Sequence, residues 1–179
     1  MNGQGEPPGP GVWAMMIFSG ALIFSSHPCA AAPERIGPSG QVVPRYVSLK
    51  KDPANARAGP GDDNRILWVY HAVGLPVQVV AETAEWRRIC DPDHGLAWVH
   101  KRTTDGHQAV IRLKPGPATL FAKPKSGAKV TAYLKTRAVA ALKRCDDKGW
   151  CQVSVEGKSG WVAPGEVWGA DKRPQCRAP

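Results

Sequence analysis

Asn55-Ala56-Arg57-Ala58-Gly59-Pro60-Gly61 decides how this chain reads, because the run returns in altered form 64 residues later as Thr119-Leu120-Phe121-Ala122-Lys123-Pro124. Each run precedes a tryptophan by the same interval. Asn55 lies 31 residues before Trp86, and Thr119 lies 31 before Trp150. Trp98 follows Trp86 after 12 residues, and Trp161 follows Trp150 after 11. Glu85-Trp86-Arg87-Arg88-Ile89 matches Gly149-Trp150-Cys151-Gln152-Val153, and Gly95-Leu96-Ala97-Trp98-Val99 matches Gly157-Lys158-Ser159-Gly160-Trp161-Val162. Landmarks held at one offset mark an internal repeat. A single deletion falls near the last hairpin.

Each unit is all-β. With 19 glycines and 17 prolines, the composition suits short strands joined by tight turns better than helices. Val77-Gln78-Val79 and Trp150-Cys151-Gln152-Val153-Ser154-Val155 alternate apolar with polar, the period of a strand with one buried face. The first strands are predicted over Arg45–Leu49 and Ala109–Leu113. Turn signals punctuate the rest at Gly59-Pro60-Gly61, Asp91-Pro92-Asp93-His94-Gly95, Asp146-Asp147-Lys148-Gly149 and Glu156-Gly157-Lys158. Such spacing predicts two tandem small β-barrels, over residues 45–104 and 108–169, with Trp86, Trp98, Trp150 and Trp161 as framework. Residues 32–44 form an N-terminal extension and 170–179 a tail. The short join Thr103–Gln108 predicts barrels that are separate yet packed together.

An export signal is expected over residues 1–31. Val12–Phe24 is apolar except at Ser19 and Gly20, too short to span a bilayer comfortably, and the small residues Cys29-Ala30-Ala31-Ala32 follow. Glu6 and the lack of Lys or Arg before the apolar run depart from the usual pattern. The mature protein is thus expected to be periplasmic or secreted, with no stable membrane span. Its charge is basic and uneven. Residues 35–104 hold 10 bases and 7 acids, while residues 105–170 hold 11 and 5. A basic surface favours anionic partners, and export leaves an anionic polymer or lipid within reach but not nucleic acid.

The Asn55–Gly61 turn, Trp86 and the Gly95-x-x-Trp98-Val99 strand resemble the bacterial Src-homology-3-like domain. The second copy has lost Asn, Arg and Gly at its turn but keeps Trp150 and Gly160-Trp161-Val162. Arg35-Ile36-Gly37-Pro38-Ser39-Gly40, Pro44–Leu49 and Glu166-Val167-Trp168-Gly169 resemble a narrower group of exported proteobacterial proteins with two such domains. The resemblance covers residues 35–170. It implies Src-homology-3-like barrels and a binding or targeting role.

Four cysteines remain after Cys29. Cys145 and Cys151 flank a hairpin-turn signal and are expected to pair across it; Cys90 and Cys176 pair only if the tail folds back over the first barrel. Cys90, Asp91, Asp93, His94 and His100 lie close in sequence, but the spacing matches no zinc pattern, and Asp91-Pro92-Asp93 is turn chemistry, so no metal and no cofactor is expected. Catalysis has no motif: G-x-S-x-G, H-E-x-x-H and phosphate-loop patterns are missing from the sequence, and its histidines are scattered. Trp68 and Tyr70 alternate on Ile66–Tyr70 and share a face. The second copy has Ala132 and Leu134 there, so the fold does not demand the pair in both copies: it either lines a ligand-binding groove or packs in the core or between the domains. Arg57 beside the turn is the third candidate. The Lys and Arg residues from Arg112 to Lys148 form a solvated basic face or an anionic-polymer surface.

These readings point to a non-catalytic exported binding module that holds a cell-wall peptide, peptidoglycan or an envelope protein in an aromatic groove. Two alternatives stand beside it: a structural protein whose barrels dock on an envelope partner, and a regulator of an envelope enzyme.

Overall fold

Alternation becomes a strand only where one face finds a core, and in this chain the cores are two. A computed structural model describes residues 1–3, 5, 35–171 and 175–176. The expected export segment, residues 1–31, lies outside the described residues apart from 1–3 and 5. The chain divides into two compact units, Met1–Ala30 and Ala31–Pro179, and all the described strands belong to the second.

The first barrel contains β3 (Arg45–Leu49), β4 (Ala54–Arg57), β5 (Ile66–Tyr70), β6 (Pro76–Glu82), β7 (Trp86–Cys90), β8 (Leu96–His100) and β9 (Thr104–Asp105), after a short hairpin of β1 (Arg35–Ile36) and β2 (Val42–Val43). The second contains β10 (Ala109–Ile111), β11 (Ala118–Phe121), β12 (Val130–Leu134), β13 (Val139–Cys145), β14 (Cys151–Val155) and β15 (Lys158–Val162). The first sheet runs β5-β4-β8-β7-β6-β3-β9, and the second runs β10-β13-β14-β15-β11-β12. Read from β12, the second order repeats the first six strands of the first, and an isolated Ile111–Trp168 bridge stands where β9 pairs with β3. The bulges recur too, at Ala56/Arg57 and Leu120/Phe121, and at Val79/Ala81 and Leu142/Arg144. Fold and repeat are therefore one observation.

Each sheet bends around its own apolar cluster. Val47, Leu49, Tyr70, Val77, Val79, Ile89 and Val99 fill the first, and Val110, Leu120, Leu134, Val153 and Val162 fill the second. Gln78 breaks the alternation, since it is as buried as the valines beside it. The tail explains this: the Gln175 backbone N–H donates to Gln78 Oε1 at 2.8 Å.

The barrels touch. Trp168 pairs through its backbone with Ile111 in the second barrel, both hydrogen bonds 2.9 Å, while its ring stands edge-on to Tyr46 of the first, centroids 5.0 Å apart. Gly169 follows at φ 110°, and a Cβ there would lie 2.6 Å from the Ala109 carbonyl oxygen. Arg137 of the second barrel grips Asp93 of the first with two hydrogen bonds of 2.7 and 2.9 Å. The Ser48 hydroxyl donates to the His107 carbonyl in the join. Two disulfides complete the frame, Cys145–Cys151 across the β13–β14 hairpin and Cys90–Cys176 from the tail to the first barrel. The β1–β2 hairpin is held by Glu82, which accepts hydrogen bonds from Ser39 and pairs with Arg45 at 2.6 Å.

The two disulfides close loops of very different length, 86 and 6 residues in separation. If loop entropy in the unfolded chain dominates, Cys176→Ala should cost about 4 kcal/mol in urea denaturation, and the Cys145→Ala/Cys151→Ala pair about 2 kcal/mol. Equal losses would contradict that account. A second expectation concerns acid. Burial opposes ionisation of Glu82, but hydrogen bonds from Arg45 and Ser39 outweigh it and hold the carboxyl below the usual carboxylate range. A carboxyl depressed in the folded state adds stability above its unfolded pKa, and that stability is lost as pH falls through the folded value. Unfolding free energy should therefore decline as pH drops below about 5, and Glu82→Gln should flatten the decline.

Candidate functional site

A groove of about 300 Å³ opens on the first barrel between the loop after β3, the start of β7 and the end of β8. Its walls include Lys51, Asp52, Arg57, Trp86, His100 and Arg102. Local sequence sets each of these. Arg57 sits at the β4 bulge, opposite Trp98 of β8. Its Nη1 donates to the Asn64 carbonyl at 2.7 Å, and its Nη2 lies 3.4 Å from Asp62 Oδ1. The residue thus closes the Gly59-Pro60-Gly61 turn and presents the remainder of its guanidinium to the groove. Trp86 and His100 face each other across β7 and β8, with ring centroids 5.2 Å apart. The Arg102 backbone N–H donates to His100 Nδ1 at 3.1 Å. That bond leaves the proton of the neutral ring on Nε2, which points toward Glu85 at 3.8 Å.

The electrostatics are mixed but lean positive. Lys51, Arg57 and Arg102 outnumber Asp52 and Asp62 among the charged lining residues. Asp52 is engaged by His71, 2.6 Å away. Glu85, outside the groove, is held below the ordinary carboxylate range by the hydrogen bond from Lys101. The Thr103 hydroxyl donates to the His100 carbonyl at 2.8 Å. The arrangement offers an aromatic wall with cationic donors around it, which suits a ligand bearing carboxylates or carbonyls.

The profile of the bacterial SH3 domain matches the chain twice, over residues 50–106 and 114–169. The chain belongs to the bacterial SH3 domain family. That family consists of binding domains, usually non-catalytic. Among solved structures, the chain is similar to NlpC2 from Trichomonas vaginalis at 11% identity and a TM-score of 0.32, covering 70% of this chain and 48% of that one. NlpC1 from the same organism gives 10% identity and 0.32, covering 69% and 45%. The chain spans about half the length of each, and a likeness this weak carries no argument about activity. No curated protein matches. Among the described residues, no helix is long and apolar enough to cross a membrane.

The two SH3 domains treat the groove position differently. In the second, Phe121 stands where Arg57 stands in the first and packs edge-on against Trp150, centroids 5.9 Å apart. An aromatic side chain stands in place of the cationic one.

The sequence-predicted residues divide. Arg57 lines the groove; Trp68 and Tyr70 are not among its walls. Tyr70 is a core residue, 9% exposed, and its hydroxyl donates to Asp91 Oδ2 at 2.8 Å. Burial, then the charge of Asp91, push its phenol well above the ordinary value. Trp68 is half-buried against the same core, with its ring edge toward Tyr70. Of the two readings open for the Trp68/Tyr70 pair, groove or core packing, the side chains pack on the first core and do not line this groove. Leu134, the counterpart of Tyr70, is equally interior, so the position is core in both SH3 domains and only the side chain differs. Arg112 is a correction. It is 5% exposed and bonded to Glu166 at 2.7 Å, whereas Lys123, Lys125 and Lys129 do lie on an exposed face. The polar turn after Cys90 is accounted for residue by residue. Asp91 Oδ1 accepts from the Asp93 and Gly95 backbone, Asp93 meets Arg137, and the Cys90 and Cys176 sulfurs near His94 are bonded to each other.

Sequence reasoning missed Lys51, His100 and Arg102. The available signal was the contrast between copies at Asn55/Thr119 and Arg57/Phe121. The Tyr70 assignment is checked by Tyr70→Phe. It should cost about 1–3 kcal/mol by stranding an interior acceptor, while leaving ligand binding at the groove unchanged. A folded variant of unaltered stability and weakened binding would return Tyr70 to the surface.

Proposed function

We propose that this chain is a non-catalytic exported binding protein whose first SH3 domain holds a cell-wall peptide or peptidoglycan strand in the Arg57–Trp86–His100 groove. The observation that carries the reading is the contrast between copies: a cationic, aromatic-walled groove in one, and Phe121 against Trp150 in place of Arg57 beside Trp86 in the other. Aromatic walls give contact area at low entropic cost, and the cations around them select carboxylate-bearing ligands. The second domain contributes its exposed lysines as an electrostatic partner for anionic polymer. Two disulfides fit an oxidising compartment, periplasmic or extracellular, in keeping with export by the 1–31 segment.

A second reading, docking on an envelope protein, draws on the edge strand β5, where Ile66, Leu67 and Val69 are exposed. An open apolar edge is a template for strand addition.

Sedimentation with purified peptidoglycan separates the two. Under the first reading the protein pellets with the wall. The Lys51→Gln/Arg102→Gln variant should then lose about tenfold in affinity, part of which persists in high salt. The Lys123→Gln/Lys125→Gln/Lys129→Gln variant should weaken binding at low salt and match the parent at high salt. A folded protein that stays in the supernatant at both salt levels would exclude the wall as ligand.

A further inference from the structure

An edge strand carries a row of backbone donors and acceptors with no neighbour, so the end of a sheet is where another chain can add. Strand β12 ends the second sheet and pairs only with β11. A cleft of about 500 Å³ follows it, lined by every residue from Val130 to Lys135. The other walls are Ala138 and the turn of the β14–β15 hairpin, where Val155, Glu156 and Lys158 stand. The second barrel alone forms this cleft, and it shares no lining residue with the groove of the first.

The side chains there narrow the choice of partner. Leu134 is buried, while Tyr133 and Lys135 on either side of it face solvent, as strand alternation requires. Tyr133 is 61% exposed and Val130 41%, so an incoming strand would find apolar surface to cover. Lys135 and Lys158 are exposed, against Glu156 as the one acid in the lining. Neither lysine enters an ion pair among the described residues. Lysines at an edge guard it against pairing with its own kind. In a chain of net charge +9 a second copy meets like charge at this edge. The same cations favour a strand of opposite charge. The first barrel's edge has different chemistry. Leu67 and Val69 are exposed on β5 where β12 has Thr131 and Tyr133, and His71, in the place of Lys135, is engaged by Asp52.

We propose that the β12 edge is a docking site for an extended acidic segment of a partner protein. The segment adds as a strand beside β12, sets carboxylates against Lys135 and Lys158, and covers Tyr133 with an apolar side chain. Main-chain pairing supplies affinity, and the lysines select the charge. The site is independent of what the first groove binds.

The test uses the full oxidised chain labelled with nitrogen-15, with its backbone amide signals followed as a capped hexapeptide of alternating glutamate and valine is raised to about 1 mM. A lysine–valine peptide of the same pattern is the charge control. A glutamate–proline peptide keeps the three carboxylates but cannot pair as a strand. The expected result is a saturable shift of the β12 amides with the glutamate–valine peptide and none with either control. Lys135→Glu/Lys158→Glu, two exposed changes, should weaken binding by about tenfold or more. Glu156→Gln gives a second variant and should strengthen it several-fold. No saturable shift on β12 would overturn the proposal. So would an equal response to the lysine–valine peptide, or to the glutamate–proline peptide, which would assign the lysines to polyanion attraction without strand pairing. Unchanged binding by both folded variants would overturn it as well.

Discussion

The contact between Tyr46 and Trp168 is where two small domains become one body. Trp168 belongs to the second barrel by its backbone, which pairs with Ile111, and to the first by its ring. A barrel of this size buries a modest share of its surface and has a thin core. Laying an indole across the gap buries apolar area for both partners at once. Gly169 is required beside it because the chain passes too close to Ala109 and Val110 for any side chain. The Arg137–Asp93 pair adds orientation more than energy, since both side chains are largely exposed. The tail then closes the assembly covalently at Cys90. Relative motion is the default for linked domains, and here packing, an ion pair and a disulfide all oppose it.

Within that frame the two copies have diverged by single substitutions at equivalent positions, with the scaffold intact. Strand order and bulges are retained, yet Arg57 has become Phe121 and Tyr70 has become Leu134. The first exchange changes a groove, because Arg57 lines its wall. The second changes nothing outside, because its position faces the core in both copies. Equivalent chemistry at the sequence level thus has opposite meaning at the two sites, and burial decides which.

This is also why the fold was legible in the sequence and much of the site was not. Tryptophans at a fixed offset report a repeat whatever their contacts, although these four stand outside both apolar clusters and Trp98, Trp150 and Trp161 are only half-buried, which corrects their expected framework role. The hairpin pairing of Cys145 and Cys151 was readable because a short turn leaves little choice. Trp68 and Tyr70 stayed open between groove and core because a difference between copies does not by itself free a position from the core: a tyrosine stands for leucine there once Asp91 accepts its hydroxyl. Arg112 misled because charge alone suggests a surface, while Glu166 and the Pro115 and Gly116 carbonyls satisfy it inside. The Cys90–Cys176 bond depends on the path of the tail, which alternation and spacing do not encode. Gln78 fails for the same reason: its period says outward, and the tail covers it.

Rigidity between the copies bears on how such a protein would hold a polymer. Two modules on a flexible linker gain by effective concentration, and the gain falls as the linker lengthens. Here the join is a few residues and the tail is bonded back, so the relative placement of the first groove and the exposed lysines of the second barrel is set before any ligand arrives. Ordering cost on binding is lowered accordingly. The same fixity restricts the ligand, since a strand reaching both surfaces must match their spacing without help from domain motion. A protein built this way trades adaptability for preorganisation.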